Sequence, residues 1–146
     1  MMGVLKILSA VLLLSLLPPG LPHVVESFSK NKDCEKFFLD GITPTIPGVL
    51  VNGIVQDQNR FKPICQMFNN VYRFATLYDT TNKIPVFSAY TYNGIDGDGI
   101  KRPAWKIEPQ LDQQVDDGNM ALATPGVVYP NQAVKEDYWG QRTQKN

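Results

Sequence analysis

Histidine is nearly absent. The 146 residues contain one, His23, within the N-terminal stretch ahead of Phe28. Once that stretch is removed, no Ser–His or Cys–His nucleophilic pair and no histidine general base can be built from what remains. Cysteine is almost as scarce, with Cys34 and Cys65 the only two. Two thiols without histidine cannot close a four-ligand zinc site unless carboxylates complete it. There is no Asn-x-Ser/Thr sequon, no Gly-x-Ser-x-Gly, no P-loop and no Rossmann fingerprint. Net charge is missing as well. Fourteen Lys+Arg balance 14 Asp+Glu, so no global field draws the chain toward a polyanion. The one long apolar run, Ile7 to Leu17, is broken by Ser9, Ala10 and Ser15 and falls short of the ~20 residues of a membrane helix.

That run belongs to a leader. Lys6 supplies a positive start and Pro18-Pro19-Gly20 ends any helix, while Val25 and Ser27 place modest side chains ahead of a cleavage point. The pattern predicts a signal peptide over residues 1–27, cleavage before Phe28, a mature domain over 28–146 and a secreted, extracellular product. In that compartment an isolated cysteine pair reads as a disulfide, Cys34 to Cys65. Closing such a loop stabilises by roughly 3–4 kcal/mol in the chain-entropy account. With 43% hydrophobic and 19% charged residues, the chain has the composition of one globular domain plus a terminal appendage.

The organising stretch runs from Asn70 to Tyr92. Two runs rich in aromatic and β-branched residues, around Tyr72 to Tyr78 and Ile84 to Tyr90, flank the polar segment Asp79 to Lys83, which predicts a β-hairpin. Neither face of either run is mainly charged, so both faces are expected to be covered by further chain. Upstream, Ser29 to Phe38 allows a helical turn or a short strand, the two prolines of Ile42 to Gly48 make that stretch extended or looped, and Val49 to Val55 alternates weakly around Asn52-Gly53 as a short strand or a turn. Downstream, Asn93 to Gly99 holds three glycines and reads as a loop. Asp96 and Asp98 within it lack the other ligands of a calcium loop, which leaves a glycine turn as the default. A short strand is expected around Trp105 to Ile107, a helical turn over Asp112 to Asp117, and a helix from Asn131 to Tyr138 capped by Asn131.

Two features touch on chemistry. Arg60, Phe61 and Lys62 mix base and aromatic as a phosphate- and base-contacting patch does, although such residues more commonly edge a sheet. The carboxylate pairs Asp96/Asp98 and Asp116/Asp117 lie in loop-like contexts where solvation is the ordinary state.

The order of the blocks says more. Phe37 to Gly41, Ile64-Cys65-Gln66, Tyr72 to Thr80, Ile84 to Tyr90 and Trp105 to Leu111 together resemble the endonuclease domain-containing 1 group of secreted proteins. That group belongs to the DNA/RNA non-specific endonucleases, and the resemblance runs from about Phe28 to Tyr138. It implies an α+β, partial ββα-metal (His-Me finger) fold with an antiparallel sheet built on the central hairpin. It also implies DNA or RNA as partner and Mg²⁺ as the cofactor of the full-length family. In that family an Asp-Arg-Gly-His motif supplies the base and a later Asn holds the metal, one to make the nucleophile and the other to offset developing charge. Asn131 to Tyr138 resembles the segment before the motif, and Trp139 to Asn146 contains no such motif. No catalytic or metal residue carries over. The expectation is therefore the N-terminal part of the domain, truncated before the motif and inactive, with no Mg²⁺ held specifically. The alternative is a secreted non-catalytic binding protein on the same scaffold. Candidate nucleic-acid contacts are Arg60, Lys62, Arg73, Lys83, Lys101, Arg102 and Lys106.

Overall fold

A computed structural model describes residues 24–92, 94 and 103–141. Residues 1–23 of the expected leader, Asp96, Asp98, Lys101 and Arg102 lie outside the described residues. The chain is α+β, and its main sheet is antiparallel. A short 3-10 turn (Phe28–Lys30) leads into helix α1 (Lys32–Glu35), whose first turn is capped by the Asn31 side chain accepting from Asp33 N. Strands β1 (Leu50–Val51) and β2 (Ile54–Val55) form a small ribbon. Asn52 and Gly53 join them, both at positive φ, the geometry a two-residue hairpin turn requires. The central sheet is a meander of β3 (Phe61–Phe68), β4 (Val71–Asp79) and β5 (Ile84–Ala89) in that order.

The predicted hairpin is thus β4–β5, and a second hairpin, β3–β4, precedes it. Asn69 and Asn70 make that tighter turn, both again at positive φ, which short polar side chains tolerate better than others. Bulges at Gln66/Met67 and Leu77/Tyr78 shift the register and bend the sheet. Pro63 sits inside β3 without breaking the ladder. Its carbonyl accepts from Val25 N at 2.9 Å on the side away from β4, so the missing N–H costs no β3–β4 bond. Val24 bridges Ile64 and Asn119 bridges Met67 along the same outer edge, which covers much of an otherwise unpaired strand.

Both faces of the sheet are covered, as the alternation implied. On one face Cys65, Ala75 and Leu77 pack against Phe28, Cys34 and Phe38. The rings of Phe28 and Phe38 lie 5.0 Å apart, with Phe87 about 6 Å from each. Cys34 and Cys65 are disulfide-bonded with Cα atoms 5.5 Å apart, pinning α1 to β3 through the middle of this cluster. On the other face Ile64, Gln66 and Thr76 are buried, and Thr76 pairs with Ser88 across β4–β5 at 2.7 Å. This second face is covered by loops. The expected strand at Trp105 to Ile107 reduces to one bridge, Ile107 with Ala121. The helical turn expected over Asp112 to Asp117 forms earlier, at Pro109–Leu111, because Pro109 preorganises its first residue and Glu108 caps Gln110 N. Asn131 does not cap a helix. Its side chain donates to Leu111 O and its N–H to Asp112 Oδ1, so helical structure waits until a 3-10 segment at Lys135–Gln141.

Candidate nucleic-acid interface

The structure divides the described candidate bases into two groups. Arg60 and Lys62 stand at the start of β3, and Lys83 lies in the turn between β4 and β5. Arg73 sits at the opposite end of β4, and Lys106 is placed there too by its contact with Phe68. The length of β3, about 23 Å at ~3.3 Å per residue, separates the groups. They do not form one continuous patch.

Three of these side chains, those of Arg60, Arg73 and Lys106, are already engaged. Arg60 forks onto Asp79, with Nε to Oδ1 at 3.1 Å and Nη2 to Oδ2 at 2.8 Å, while its guanidinium lies over the Phe61 ring at 4.9 Å. The same carboxylate accepts from Thr81 N, Asn82 N and Asn82 Nδ2. Asp79 therefore ties the β4–β5 turn to the start of β3, and bidentate pairing with arginine gives that tie its direction. Arg73 donates from Nε to Phe68 O at 3.2 Å. Lys106 reaches over the Phe68 ring at 5.1 Å, a cation–π contact.

Arg60, chiefly by hydrogen bonding, holds the Asp79 carboxyl well below the usual carboxylate range, with Asn82 N and Thr81 N assisting. A depressed folded-state value makes this contribution complete above the unfolded value of about 4 and progressively lost as pH falls below it. Asp79→Asn is expected to flatten the acid limb of a melting-temperature profile recorded from pH 2 to 6. An acid limb unchanged by the substitution would mean that Asp79 carries none of it.

Two clusters escaped the sequence reading. The first is aromatic. Trp105, 65% exposed, stacks on Tyr138 with centroids 5.6 Å apart and planes at 18°. Lys135 Nζ lies 5.2 Å from the Trp139 ring centroid, and Trp105, Lys135, Tyr138 and Trp139 line a shallow cavity of about 170 Å³. The second is polar and buried. Glu108 is 4% exposed; Oε2 accepts from Gln66 Nε2 at 2.6 Å and Oε1 from Gln110 N at 3.1 Å. Gln132 answers the Glu108 backbone in both directions, accepting from its N–H and donating to its carbonyl, and also donates to Asp112. This network fastens the 107–132 loops to β3. Nearby, Tyr78 Oη accepts from Ala133 N at 3.1 Å, and burial raises its phenol above the usual value.

Magnesium, which the resemblance implies, is commonly held through one or two carboxylates, with waters completing its octahedron. Glu108, Asp112 and Asp79 are each engaged within the fold. Both oxygens of Glu108, of Asp112 and of Asp79 already accept bonds from neighbouring side chains or backbone. Asp116 and Asp117 are exposed, as the sequence suggested, and Asp117 Oδ1 accepts from Asn119. Among the described residues no group of three or more His, Cys, Asp and Glu is arranged to hold a metal ion.

The fold and its surfaces define the class broadly, as an α+β protein with a disulfide-pinned antiparallel meander. No family model matches the chain, and no solved structure is similar to it. Curated proteins are. The human endonuclease domain-containing 1 protein is 36% identical over 80 residues, 55% of this chain and 14% of the relative. Its mouse counterpart is 32% identical over 119 residues, 73% of this chain and 20% of the relative. The resemblance carried by the residue blocks is therefore shown: the chain is similar to endonuclease domain-containing 1 proteins. It spans a fifth or less of the length of these curated relatives.

Proposed function

We propose that the residues of this chain form the scaffold part of a secreted, DNA- or RNA-directed nuclease domain of the ββα-metal kind, and that by themselves they do not cleave nucleic acid. One observation supports the second half of this reading: among the described residues, the carboxylates drawn into the sheet and its loop cover are hydrogen-bonded within the fold. Phosphodiester hydrolysis needs a base to form the nucleophile and a cation or donor to receive charge on the phosphate. Glu108, Asp112 and Asp79 are each held by two or more hydrogen bonds, and the only histidine of the chain is His23. The similarity to proteins named for an endonuclease domain supports the first half. Secretion is supported by the leader pattern of the sequence and by the Cys34–Cys65 bond, which suits an oxidising compartment. No helix among the described residues is long and apolar enough to cross a membrane.

The alternative, a non-catalytic binding role, is favoured by the Trp105, Tyr138, Trp139 and Lys135 cluster. Exposed rings beside lysines are what base stacking and phosphate contact require. One assay addresses both readings. A labelled single-stranded oligonucleotide incubated with the chain and Mg²⁺ is expected to remain intact. Cleavage abolished by EDTA defeats the scaffold reading. A mobility shift that weakens steeply with salt supports the binding role, and no shift at low salt removes it.

A further inference from the structure

We infer that the leader is removed ahead of Val24 rather than before Phe28. This rests on the proposed secretion. In sequence, Val25 and Ser27 suit the positions before Phe28, whereas Gly20 offers one small residue with Pro18 two before it. The contacts of Val24 to Ser27 separate the two cuts.

These residues belong to the fold. Val24 pairs antiparallel with Ile64 on the outer edge of β3, and its N–H donates to Gln110 Oε1 at 3.2 Å. Val25 N supplies the hydrogen bond to the Pro63 carbonyl, and Val25 packs against the core cluster. Ser27 O accepts from Lys30 N at 3.2 Å, the first bond of the 3-10 turn. Phe28 follows directly, its side chain 1% exposed between the rings of Phe38 and Phe87. A cut before Phe28 strips the β3 edge, leaves the Pro63 carbonyl and Gln110 amide oxygen without these donors, and uncaps the turn. It also places a new ammonium group beside a fully buried ring, where charge is poorly solvated. A cut ahead of Val24 leaves every one of these contacts in place. The extra segment also joins the two covers of the sheet, because Gln110 lies in the loop layer and Phe28 in the core on the opposite face.

The test is N-terminal sequencing and intact mass of the full chain, leader included, recovered from the medium of secretory cells. A first residue between Leu21 and Val24 is the expected result. A first residue beyond Val24, Phe28 above all, overturns the inference while leaving secretion intact. A chain kept inside the cell with Met1 in place overturns the secretion reading and this inference with it. Val25→Pro, which removes the N–H that reaches Pro63, provides a second readout on the secreted chain. Its melting temperature is expected to fall by several degrees, and an unchanged value means that Val25 is not part of the fold.

Discussion

Replacing Cys34 and Cys65 together by serine is expected to lower the melting temperature by about 10–20 °C. The bond joins residues 31 apart in sequence, and closing a loop of that size removes roughly 3–4 kcal/mol of unfolded-chain entropy. For a chain of this length, each kcal/mol moves the midpoint by about 3–5 °C. Both sulfurs are wholly buried in the cluster of Phe28, Phe38, Ala75 and Leu77, so the serine hydroxyls add a burial cost to the lost constraint. The unsubstituted protein melted with and without a reductant gives the same comparison without any substitution. A drop of only a degree or two in both experiments would show that the packing of α1 on the sheet does not depend on the bond.

Glu108 should be the most sensitive residue of the loop layer. Truncation by Glu108→Ala leaves Gln66 Nε2 and Gln110 N facing no acceptor and opens a small void. Together these are expected to cost roughly 2–4 kcal/mol. Glu108→Gln keeps the shape but turns an amide NH₂ toward one of two donors, for roughly 1–2 kcal/mol. The pH dependence distinguishes the charge from the shape. Burial raises the Glu108 carboxyl above its ordinary value, with the bonds from Gln110 and Gln66 opposing the shift. A carboxyl whose folded value is raised binds its proton more tightly when folded. Its contribution is therefore fullest below the unfolded value of about 4.3 and declines as pH rises through the folded one. This is opposite in sign to Asp79. Melting curves from pH 4 to 7 should show a downward slope that Glu108→Gln removes; parallel curves for the two proteins would refute the role given to the buried charge.

How much of this was legible beforehand depends on sequence distance. The β4–β5 hairpin, the turn at Asn52-Gly53 and the covering of both sheet faces follow from alternation and turn chemistry within a few residues, and all appear in the structure. The Cys34–Cys65 bond was legible because only one pairing exists. The β3–β4 turn was missed because Asn69-Asn70 carries no glycine, although asparagine tolerates the same positive φ. The loop layer was misread for a different reason. Asn131 and Glu108 have local propensities as caps and surface acids, but their strongest partners lie 20 and 42 residues away, and no local pattern encodes that. The same distance hid the stacking of Trp105 on Tyr138. The basic candidates were chosen by residue type, which does not show that Arg60 is already paired with Asp79 or that Lys106 lies at the far end of the sheet from it.

The meander and the loop layer differ in one further respect, the order in which they can form. Strands β3 and β4 are joined by two residues, and β4 and β5 by a short turn. Their contacts close small loops, and hairpins of this kind form in about 1–10 μs. The Gln66–Glu108 and Glu108–Gln132 bonds must close separations of 42 and 24 residues, at a greater entropic cost. The strands are thus placed to organise the folding transition state, and the loop layer to dock after it. Weakening Glu108 should then leave the refolding rate nearly unchanged and appear as faster unfolding. The tie that makes this face of the protein polar and rigid also sets how long it stays closed.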